Sequence, residues 1–525
     1  MRSHRPHALS PLACALTALT ARMCAIGCAG VNKYYKMQLL VKGKGSRRVF
    51  TIFKAWGRVG GEEAEGHGYG HVNKDLTHAH NSNLNGALKE FGDKFKELAT
   101  VTFETCEPPC QFKGGHNVNL IPGQLGKDVG AAARAAAAKK ASAASAAQAS
   151  ASRPCTLPPS VKEFVELIFS EKMMAQQLAS LSIDLEKMPL GGLSDKQAQR
   201  GYAILCDIAA ALKEPPADES AHAQRLLGLT EAFYNTIPHK FSLSKTPPVI
   251  STRELLLEKI ETIEALLQVN AAQSLAAGGA AQAPLSAHPA DSHYRSLKCD
   301  LEPASEEEVA MVAQYAASTH AATHSSYSLK VRQVFRAERE GEAAAHTPAL
   351  GNRQLLWHGS RLTNWVGILS QGLRIAPPEA PVTGYMFGKG VYFADMSSKS
   401  ANYCFASRDA PTAVLLLCDV ALGAQHELIA SQSEAAERSK ARGKHSTWGV
   451  GKTCPQPSGT KELDGGVLKV PMGQSGHNQY LDDNLERIKD EGGGKRSELL
   501  YNEFIVYDTK QVKAKYVVVV DFDFL

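Results

Sequence analysis

The stretch Leu355-Leu356-Trp357-His358-Gly359-Ser360 places a histidine directly after an apolar run that is typical of a buried β-strand. Two later segments repeat this pattern: 384–403 has Tyr392 in its apolar centre, and 500–507 has Glu503 in its own. A polar group in a buried strand costs free energy unless it is hydrogen-bonded, so each of the three needs a reason. Periodicity alone leaves two readings open: three satisfied core residues, or three parts of one site.

Bulk composition limits the class of protein. A chain of 525 residues is too long for one core, and about three domains are expected. Its 44% hydrophobic and 21% charged residues are ordinary for a globular protein, and no apolar run is long enough to span a bilayer.

The 11 cysteines are scattered and odd in number, which favours reduced thiols over a disulfide framework. Cys106 and Cys110 invite a zinc interpretation, but no second pair follows at ligand spacing, so we expect no metal.

Charge is spread unevenly along the chain. The formal net charge is +5, yet residues 33–58 hold eight basic residues and no acidic one. A run of one sign at this density predicts a phosphate-binding face, and a solvated surface is the alternative.

The first 155 residues divide by composition. Residues 1–30 are rich in Ala, Cys and Leu behind two arginines, and we interpret them as a targeting segment or a disordered extension. Alternating apolar residues and a Gly-rich turn predict β-strands over 32–60. Residues 129–153 are almost all Ala, Ser, Lys and Gln, as in a linker.

Helical periodicity dominates residues 157–270. Ser194 and Gln197 form a predicted capping box, and an apolar stripe runs from Leu256 to Leu267. An Ala-, Gly- and Pro-rich stretch at 271–292 marks a second boundary. Beyond it we predict a mixed, mostly antiparallel sheet with short helices at 364–371 and 397–404; its strands are expected at 329–337, 354–358, 391–394, 413–420, 503–508 and 515–524.

Residues 355–404 and 499–508 resemble the NAD-binding signature of the poly(ADP-ribose) polymerases (PARPs), ADP-ribosyltransferases with a His-Tyr-Glu triad. Trp56-Gly57-Arg58 resembles the WGR domain of the DNA-dependent members, and segments 183–191 and 233–239 resemble their helical regulatory domain. The resemblance implies an α+β multidomain protein with these parts: an extension at 1–30, a small β-rich WGR-like DNA-binding module at 31–127, an Ala-rich linker at 128–155, an all-α regulatory bundle at 156–275, and a mixed, mostly antiparallel catalytic domain of the ADP-ribosyltransferase type at 290–525.

The resemblance also implies a set of site residues. NAD⁺ is the expected substrate, held by His358, Gly359, Ser360, Asn364, Arg374, Tyr385, Tyr392, Ser400 and Tyr403. The implied catalytic residues are Glu503, His358, Tyr392 and Lys399. The implied DNA-binding residues are Trp56 and Arg58. The implied regulatory residues are Glu261 and Glu264, and Gln268 occupies a position where relatives usually have a third acidic residue.

The implied roles follow the chemistry of nicotinamide departure. Gly359 and Ser400 would hold the carboxamide, Tyr403 and Tyr392 would enclose the ring, and Glu503 would stabilise the positive charge on the ribose. We expect a nuclear enzyme, activated by DNA strand breaks, that builds ADP-ribose chains on itself and other proteins, with an accessory factor as a further candidate partner and no membrane association. The alternatives are transfer of a single ADP-ribose and a DNA-end-binding scaffold with little turnover; organellar targeting by residues 1–30 also stays open.

Overall fold

A computed structural model describes residues 154–525, apart from 186–187, 214–217, 242–246, 283–287, 378 and 381–384. Before residue 154 it describes the strand segments named below and residues 89–90 and 93. Cys106, one of the two cysteines considered for zinc, lies outside the described residues.

The strands are β1 (Ala18–Ile26), β2 (Asn32–Lys42), β3 (Val49–Arg58), β4 (Asn73–Asn81), β5 (Cys110–Gln111), β6 (Asn117–Val118), β7 (Cys299–Pro303), β8 (Tyr327–Arg339), β9 (Arg353–Gly359), β10 (Val391–Phe393), β11 (Thr412–Ala421), β12 (Gln425–Leu428), β13 (Ser446–Gly449), β14 (Thr453–Pro455), β15 (Thr460–Leu463), β16 (Leu468–Pro471), β17 (Ser475–His477), β18 (Glu503–Val506) and β19 (Val512–Phe524).

The helices are α1 (Pro159–Ile168), α2 (Glu171–Ser180), α3 (Asp195–Lys213), α4 (Glu219–Thr236), α5 (Arg253–Gln282), α6 (Pro289–Leu297), α7 (Glu306–Ser318), α8 (Glu342–Ala345), α9 (Trp365–Gln371), α10 (Ser397–Asn402), α11 (Ala435–Ala441) and α12 (Gln479–Asp490).

The chain divides into two units, 1–148 with 213–251 and 149–212 with 252–525. In the first unit, β1 to β4 form an antiparallel sheet in sequence order. The predicted hairpin is present, with Tyr35 opposite Trp56 and Lys33 opposite Arg58 on β2 and β3. The sheet also takes in β1, so nine residues of the segment 1–30 pair along β2.

Helix α4 belongs to the first unit. Asp218 caps it by accepting hydrogen bonds from the amides of Ser220 and Ala221, at 2.8 and 3.2 Å. At its other end the Tyr234 hydroxyl donates to the Pro248 carbonyl at 2.9 Å, and the Tyr234 and Phe241 rings meet edge to face. These contacts tie the segment after α4 back onto the helix.

The second unit contains two larger sheets. One has seven strands in the order β15-β16-β9-β11-β19-β8-β7, and the other has four in the order β10-β18-β13-β12. Within them only β16 with β9 and β12 with β13 pair in parallel, so the predicted mixed, mostly antiparallel sheet is confirmed. The sheets meet beside the first quoted motif, where Trp357 and Ala394 exchange two backbone hydrogen bonds of 2.8 and 3.0 Å.

The core of the seven-stranded sheet explains the apolar half of that motif. Leu355 and Trp357 are fully buried with Leu415, Leu417 and Val518 from the neighbouring strands. Burying side chains of this size contributes about 1.5–3 kcal/mol each, so this core stabilises the sheet.

The helices of the second unit begin where the capping signal predicts. Ser194 and Gln197 exchange the two hydrogen bonds of a capping box, with Gln197 N donating to Ser194 Oγ at 3.3 Å and Ser194 N donating to Gln197 Oε1 at 3.2 Å. On α5, Leu256, Ile260 and Ile263 are fully buried as the stripe predicted. The glutamates of α5 lie on the helix face away from this apolar stripe.

Candidate active site

Strand β9 positions His358. The strand pairs with β11, placing His358 opposite Leu416, and the imidazole Nδ1 lies 2.9 Å from the Tyr392 carbonyl oxygen. A carbonyl only accepts, so Nδ1 carries the proton and donates. Burial lowers the pKa of His358, which favours the neutral ring and leaves Nε2 as a free acceptor for a substrate hydroxyl.

Gly359 lies against the second half of α10 at very close range. A Cβ atom built on Gly359 would lie 1.8 Å from the Ser400 carbonyl oxygen, so only glycine fits. The Ser400 hydroxyl is buried and donates to the Trp357 carbonyl at 3.0 Å. The backbone of Ser400 thus lies against Gly359, and its side chain bonds the strand two residues earlier, at Trp357.

Tyr385, Tyr392 and Tyr403 are the aromatic residues predicted for the site. The Tyr392 hydroxyl donates to the Gly388 carbonyl at 2.7 Å and accepts from the Phe387 amide at 3.0 Å. The Tyr385 ring lies 6.2 Å from the Tyr392 ring, and Tyr403 is 50% exposed. An aromatic ring that is half exposed at a pocket edge is available for stacking on a flat ligand.

Glu503 begins β18 and pairs with Lys399 of α10. The Lys399 ammonium lies 2.6 Å from Glu503 Oε1 and also donates to the Asn502 carbonyl at 3.3 Å. Burial raises the pKa of Tyr392 and raises that of Tyr403 to about 12, and the Glu503 carboxylate adds to both shifts. Glu503 therefore lies within electrostatic reach of both rings, and its contact with Lys399 orients it.

Sequence reasoning missed the buried support behind this pair. Asp395 is 3% exposed and accepts a 2.7 Å hydrogen bond from the Asn502 amide side chain, while Asn502 Oδ1 accepts from the Gly451 amide at 2.9 Å. Burial raises the pKa of Asp395 to about 6, and its bond to Asn502 and the charge of Lys399 oppose the rise. The signal was available, since Asp395 and Asn502 each sit in a motif used for the prediction.

The remaining donor-site candidates lie around the turn after β9. Asn364 donates to the Ser360 hydroxyl at 2.8 Å, which fixes both polar groups. Arg374 is exposed and hydrogen-bonds Gln371 at 2.7 Å; its charge reaches Glu264, where it partly opposes the rise in pKa that burial causes. Arg374 thus lies near Glu264 of α5.

Helix α5 contacts this side of the site through its two predicted regulatory acids. Glu261 lies 3.6 Å from the guanidinium of Arg361, a buried arginine that the sequence analysis missed and that stacks 3.5 Å over the Phe405 ring. Glu264 accepts from the Tyr385 hydroxyl at 3.2 Å. Burial raises the pKa of Glu264 to about 7, with the neighbouring Glu261 charge adding to the rise.

One turn further along α5, Gln268 packs on α9. A Cβ atom on Gly367 would lie 1.9 Å from Gln268 Oε1, and within the described residues this buried oxygen accepts no hydrogen bond. A carboxylate here would be a buried unpaired charge, which explains in physical terms why an amide is tolerated.

The neutral state of His358 predicts a pH dependence. Its folded-state pKa is depressed, so the unfolded chain takes up a proton near pH 6.5 before the folded chain does, and stability falls as the pH drops below that value. We expect the slope of unfolding free energy against pH between 7.5 and 5 to be shallower in His358→Gln, by at most about 1.4 kcal/mol per pH unit. Urea unfolding at several pH values measures it, and equal slopes in the two proteins contradict the neutral assignment.

Comparison with known proteins gives the family. The family model "Poly(ADP-ribose) polymerase catalytic domain" matches residues 306–522, and "Poly(ADP-ribose) polymerase, regulatory domain" matches residues 155–294. Human poly [ADP-ribose] polymerase 2 is 38% identical over 497 residues, which cover 94% of this chain and 78% of that protein. The chain belongs to the poly(ADP-ribose) polymerase family. Its final domain is therefore an ADP-ribosyltransferase catalytic domain.

Other relatives are longer. Poly [ADP-ribose] polymerase 1 of Xenopus laevis is 39% identical over 94% of this chain but only 45% of its own length, and poly [ADP-ribose] polymerase 2 of Arabidopsis thaliana is 45% identical over 70% of this chain and 54% of its own. The chain thus spans about half the length of several curated PARPs that it matches. The regulatory match also runs past the boundary that we drew at residue 275.

Within the part of the chain that the structure describes, no cluster of three His, Cys, Asp or Glu side chains has the arrangement of a metal site. A helix combining the length and apolarity of a membrane span is likewise not found among those residues.

Proposed function

We propose that this PARP transfers ADP-ribose from NAD⁺ to proteins, including itself, and elongates the product into chains when DNA strand breaks are present. The observation that carries the proposal is the Lys399–Glu503 pair, 2.6 Å across, in one unit with Gly359, Ser400 and the neutral His358. Trp56 and Arg58 on β3 are the proposed DNA contacts, and a nuclear location follows from a DNA partner.

The proposed chemistry uses no group beyond the protein and its two substrates. The bond between nicotinamide and ribose breaks with its electron pair going to the nicotinamide nitrogen, so nicotinamide leaves neutral. Positive charge then develops on the ribose, where the Glu503 carboxylate stabilises it. The oxygen of an acceptor hydroxyl bonds to the ribose carbon that nicotinamide has left, and the hydroxyl proton passes to Glu503. His358 Nε2 is suited to accept from an adenosine-ribose hydroxyl, because its other nitrogen is already committed to Tyr392.

A chain-forming reaction and a single transfer share these steps. The glutamate is the feature that favours elongation, since it can activate a ribose hydroxyl as the next acceptor. A DNA-binding scaffold without turnover is disfavoured by the same pair, because a lysine and a glutamate held at 2.6 Å beside two partly open tyrosines serve no evident packing purpose.

The direct test is incubation of the purified full chain with labelled NAD⁺, with and without nicked DNA. A ladder of labelled protein that depends on the nicked DNA is expected. A single labelled band identifies single transfer, and no label with intact DNA binding identifies a scaffold; either result overturns the proposal.

The contacts of α5 predict why NAD⁺ turnover is low in the absence of DNA. Glu261 and Glu264 hold Arg361 and Tyr385, residues of the turn and loop at the donor site, so removing them frees those groups. In Glu261→Ala with Glu264→Ala we expect NAD⁺ turnover without DNA to rise about tenfold, the effect of losing ~1.4 kcal/mol of coupling, and turnover with DNA to change little.

The matched control is Glu254→Ala, which removes an exposed glutamate from the first turn of the same helix. The ratio of turnover with nicked DNA to turnover without it measures the effect. An unchanged ratio in the double variant would show that these acids are a solvated face and not a restraint.

A further inference from the structure

A chain of hydrogen-bonded polar groups, with three buried side chains in its middle, crosses the four-stranded sheet and ends at the donor-site loop. His426, Ser439 and Thr447 are 3%, 1% and 0% exposed. The chain runs, in order, through Arg442, His426, Ser439, Thr447, Tyr507 and the Phe387 carbonyl.

The direction of the chain is fixed at its outer end. Arg442 lies 3.2 Å from His426 Nε2, and a guanidinium only donates, so Nε2 accepts. The proton of a neutral ring is then on Nδ1, which lies 3.2 Å from Ser439 Oγ and donates to it. Burial lowers the pKa of His426 to about 4, helped by the charges of Arg442, Arg438 and Lys444, so the ring is neutral at pH 7.

Each following group passes its own proton onward. Ser439 Oγ already accepts from the imidazole and lies 3.0 Å from Thr447 Oγ1, to which it donates. Thr447 in turn lies 2.8 Å from the Tyr507 hydroxyl, and that hydroxyl donates to the Phe387 carbonyl at 3.0 Å. The directions of the last two hydrogen bonds follow from that of the first, because each hydroxyl oxygen carries one proton that it can donate.

The inner end of the chain meets the groups that Tyr392 holds. The Tyr392 hydroxyl accepts from the Phe387 amide and donates to the Gly388 carbonyl, at 3.0 and 2.7 Å. Three backbone groups of the dipeptide 387–388 are therefore held by two tyrosine hydroxyls, Tyr507 from behind and Tyr392 from the site. The Phe387 ring is fully buried against Leu428, which leaves this dipeptide little freedom.

Burial makes the chain sensitive to the loss of any member. A buried hydroxyl without a partner costs free energy, whereas apolar side chains of similar size would fill the same space with no such risk. Truncating one member leaves the next without its donor or acceptor, so the effect of a change far from the site reaches Phe387.

We propose that Tyr507, Thr447, Ser439 and His426 are positioning residues for NAD⁺ binding, acting by holding the Phe387–Gly388 backbone against Tyr392. The inference rests on the proposed function, since it assigns these residues to the donor site of that reaction. None of them touches the substrate. Their effect is on where Tyr392 and the adjoining Tyr385 stand before NAD⁺ arrives.

The first test is steady-state kinetics with NAD⁺. In Tyr507→Phe we expect KM for NAD⁺ to rise about 3- to 10-fold, the scale of one lost hydrogen bond, with kcat within about twofold of the wild type. Thr447→Val should give the same rise, the double variant should show no further rise, and Thr447→Ser should restore the wild-type KM. An unchanged KM, or additive effects of the two variants, overturns the proposal.

The second test does not depend on activity. Hydrogen exchange of the peptide covering 385–392, measured without NAD⁺, should be faster in Tyr507→Phe and Thr447→Val than in the wild type. Tyr516→Phe is the matched control, since it removes a buried tyrosine hydroxyl that bonds Glu308 at 2.9 Å on the other sheet. Unchanged hydrogen exchange in Tyr507→Phe and Thr447→Val, or an equal change in Tyr516→Phe, overturns the proposal.

These two tests separate the inference from the proposed function. A wild-type protein that makes no labelled product refutes the function, while the exchange comparison still decides whether the polar chain holds the loop. If the wild-type protein turns over NAD⁺ and the Tyr507 and Thr447 variants match it in both tests, only the positioning role is refuted.

Discussion

Glu503→Ala is expected to lower the rate of ADP-ribose chain elongation about 100-fold or more while DNA binding persists. We propose that this carboxylate stabilises the ribose cation and polarises the next acceptor, and effects of this kind contribute about 10²–10⁴ in rate. Its loss also leaves the Lys399 ammonium without the partner that it holds at 2.6 Å. With labelled NAD⁺ and nicked DNA, the ladder of products should collapse to a faint single band.

Two variants sharpen this experiment. Glu503→Gln keeps the shape and removes the charge, so it should behave as the alanine variant does. Glu486→Gln removes an exposed glutamate that also pairs with a lysine at 2.8 Å, and it should keep the full ladder. Normal elongation in both Glu503 variants would mean that the role assigned to this residue is wrong.

Gly359→Ala is expected to abolish the nicotinamide grip and to destabilise the catalytic domain. The added methyl group would lie 1.8 Å from the Ser400 carbonyl oxygen and 2.6 Å from its carbon, both backbone atoms that cannot rotate away. Strand β9 and helix α10 must separate, at a cost of about 1–3 kcal/mol for overpacking. In a binding site, a displacement of about 1 Å lowers the reaction rate about 100-fold.

Thermal unfolding and inhibition of turnover by nicotinamide measure the two effects. We expect a lower Tm and an inhibitory concentration raised at least about tenfold, since the grip acts on nicotinamide itself. Gly228→Ala, within α4, is the control, because a Cβ there meets no atom within 4 Å and the change should leave the Tm equal or slightly higher. Wild-type inhibition in Gly359→Ala would remove this glycine from the site.

The long, strongly patterned elements were predictable from the sequence because their signal is local. The stripe on α5, the capping box at Ser194 and the hairpin of β2 and β3 each depend on residues a few positions apart. The strands of the site were found for the same reason, since their apolar runs are continuous. Their pairing order was not predictable, as β9 sits between β11 and β16 by contacts that periodicity does not record.

The elements missed are short or polar. Strands β12 to β17 have three or four residues each, too few for a period to show. Helix α12 buries only Leu481 and Ile488 and carries charges elsewhere, so its apolar stripe is thin. Arg361 and Tyr507 were missed because their partners, Glu261 and the Phe387 carbonyl, are about a hundred residues away or more.

The single bridge between Trp357 and Ala394 determines how the halves of the catalytic centre are spaced. Gly359, the proposed carboxamide grip, belongs to one sheet, whereas Glu503 and Tyr392 belong to the other. Because these two sheets are joined at this point by one pair of peptide groups and not by a ladder, a small rotation about it would widen or narrow the gap that the scissile bond must occupy. Reaction rate and ligand affinity can therefore be tuned separately, by changes that tilt one sheet and leave the pocket walls on each sheet as they are.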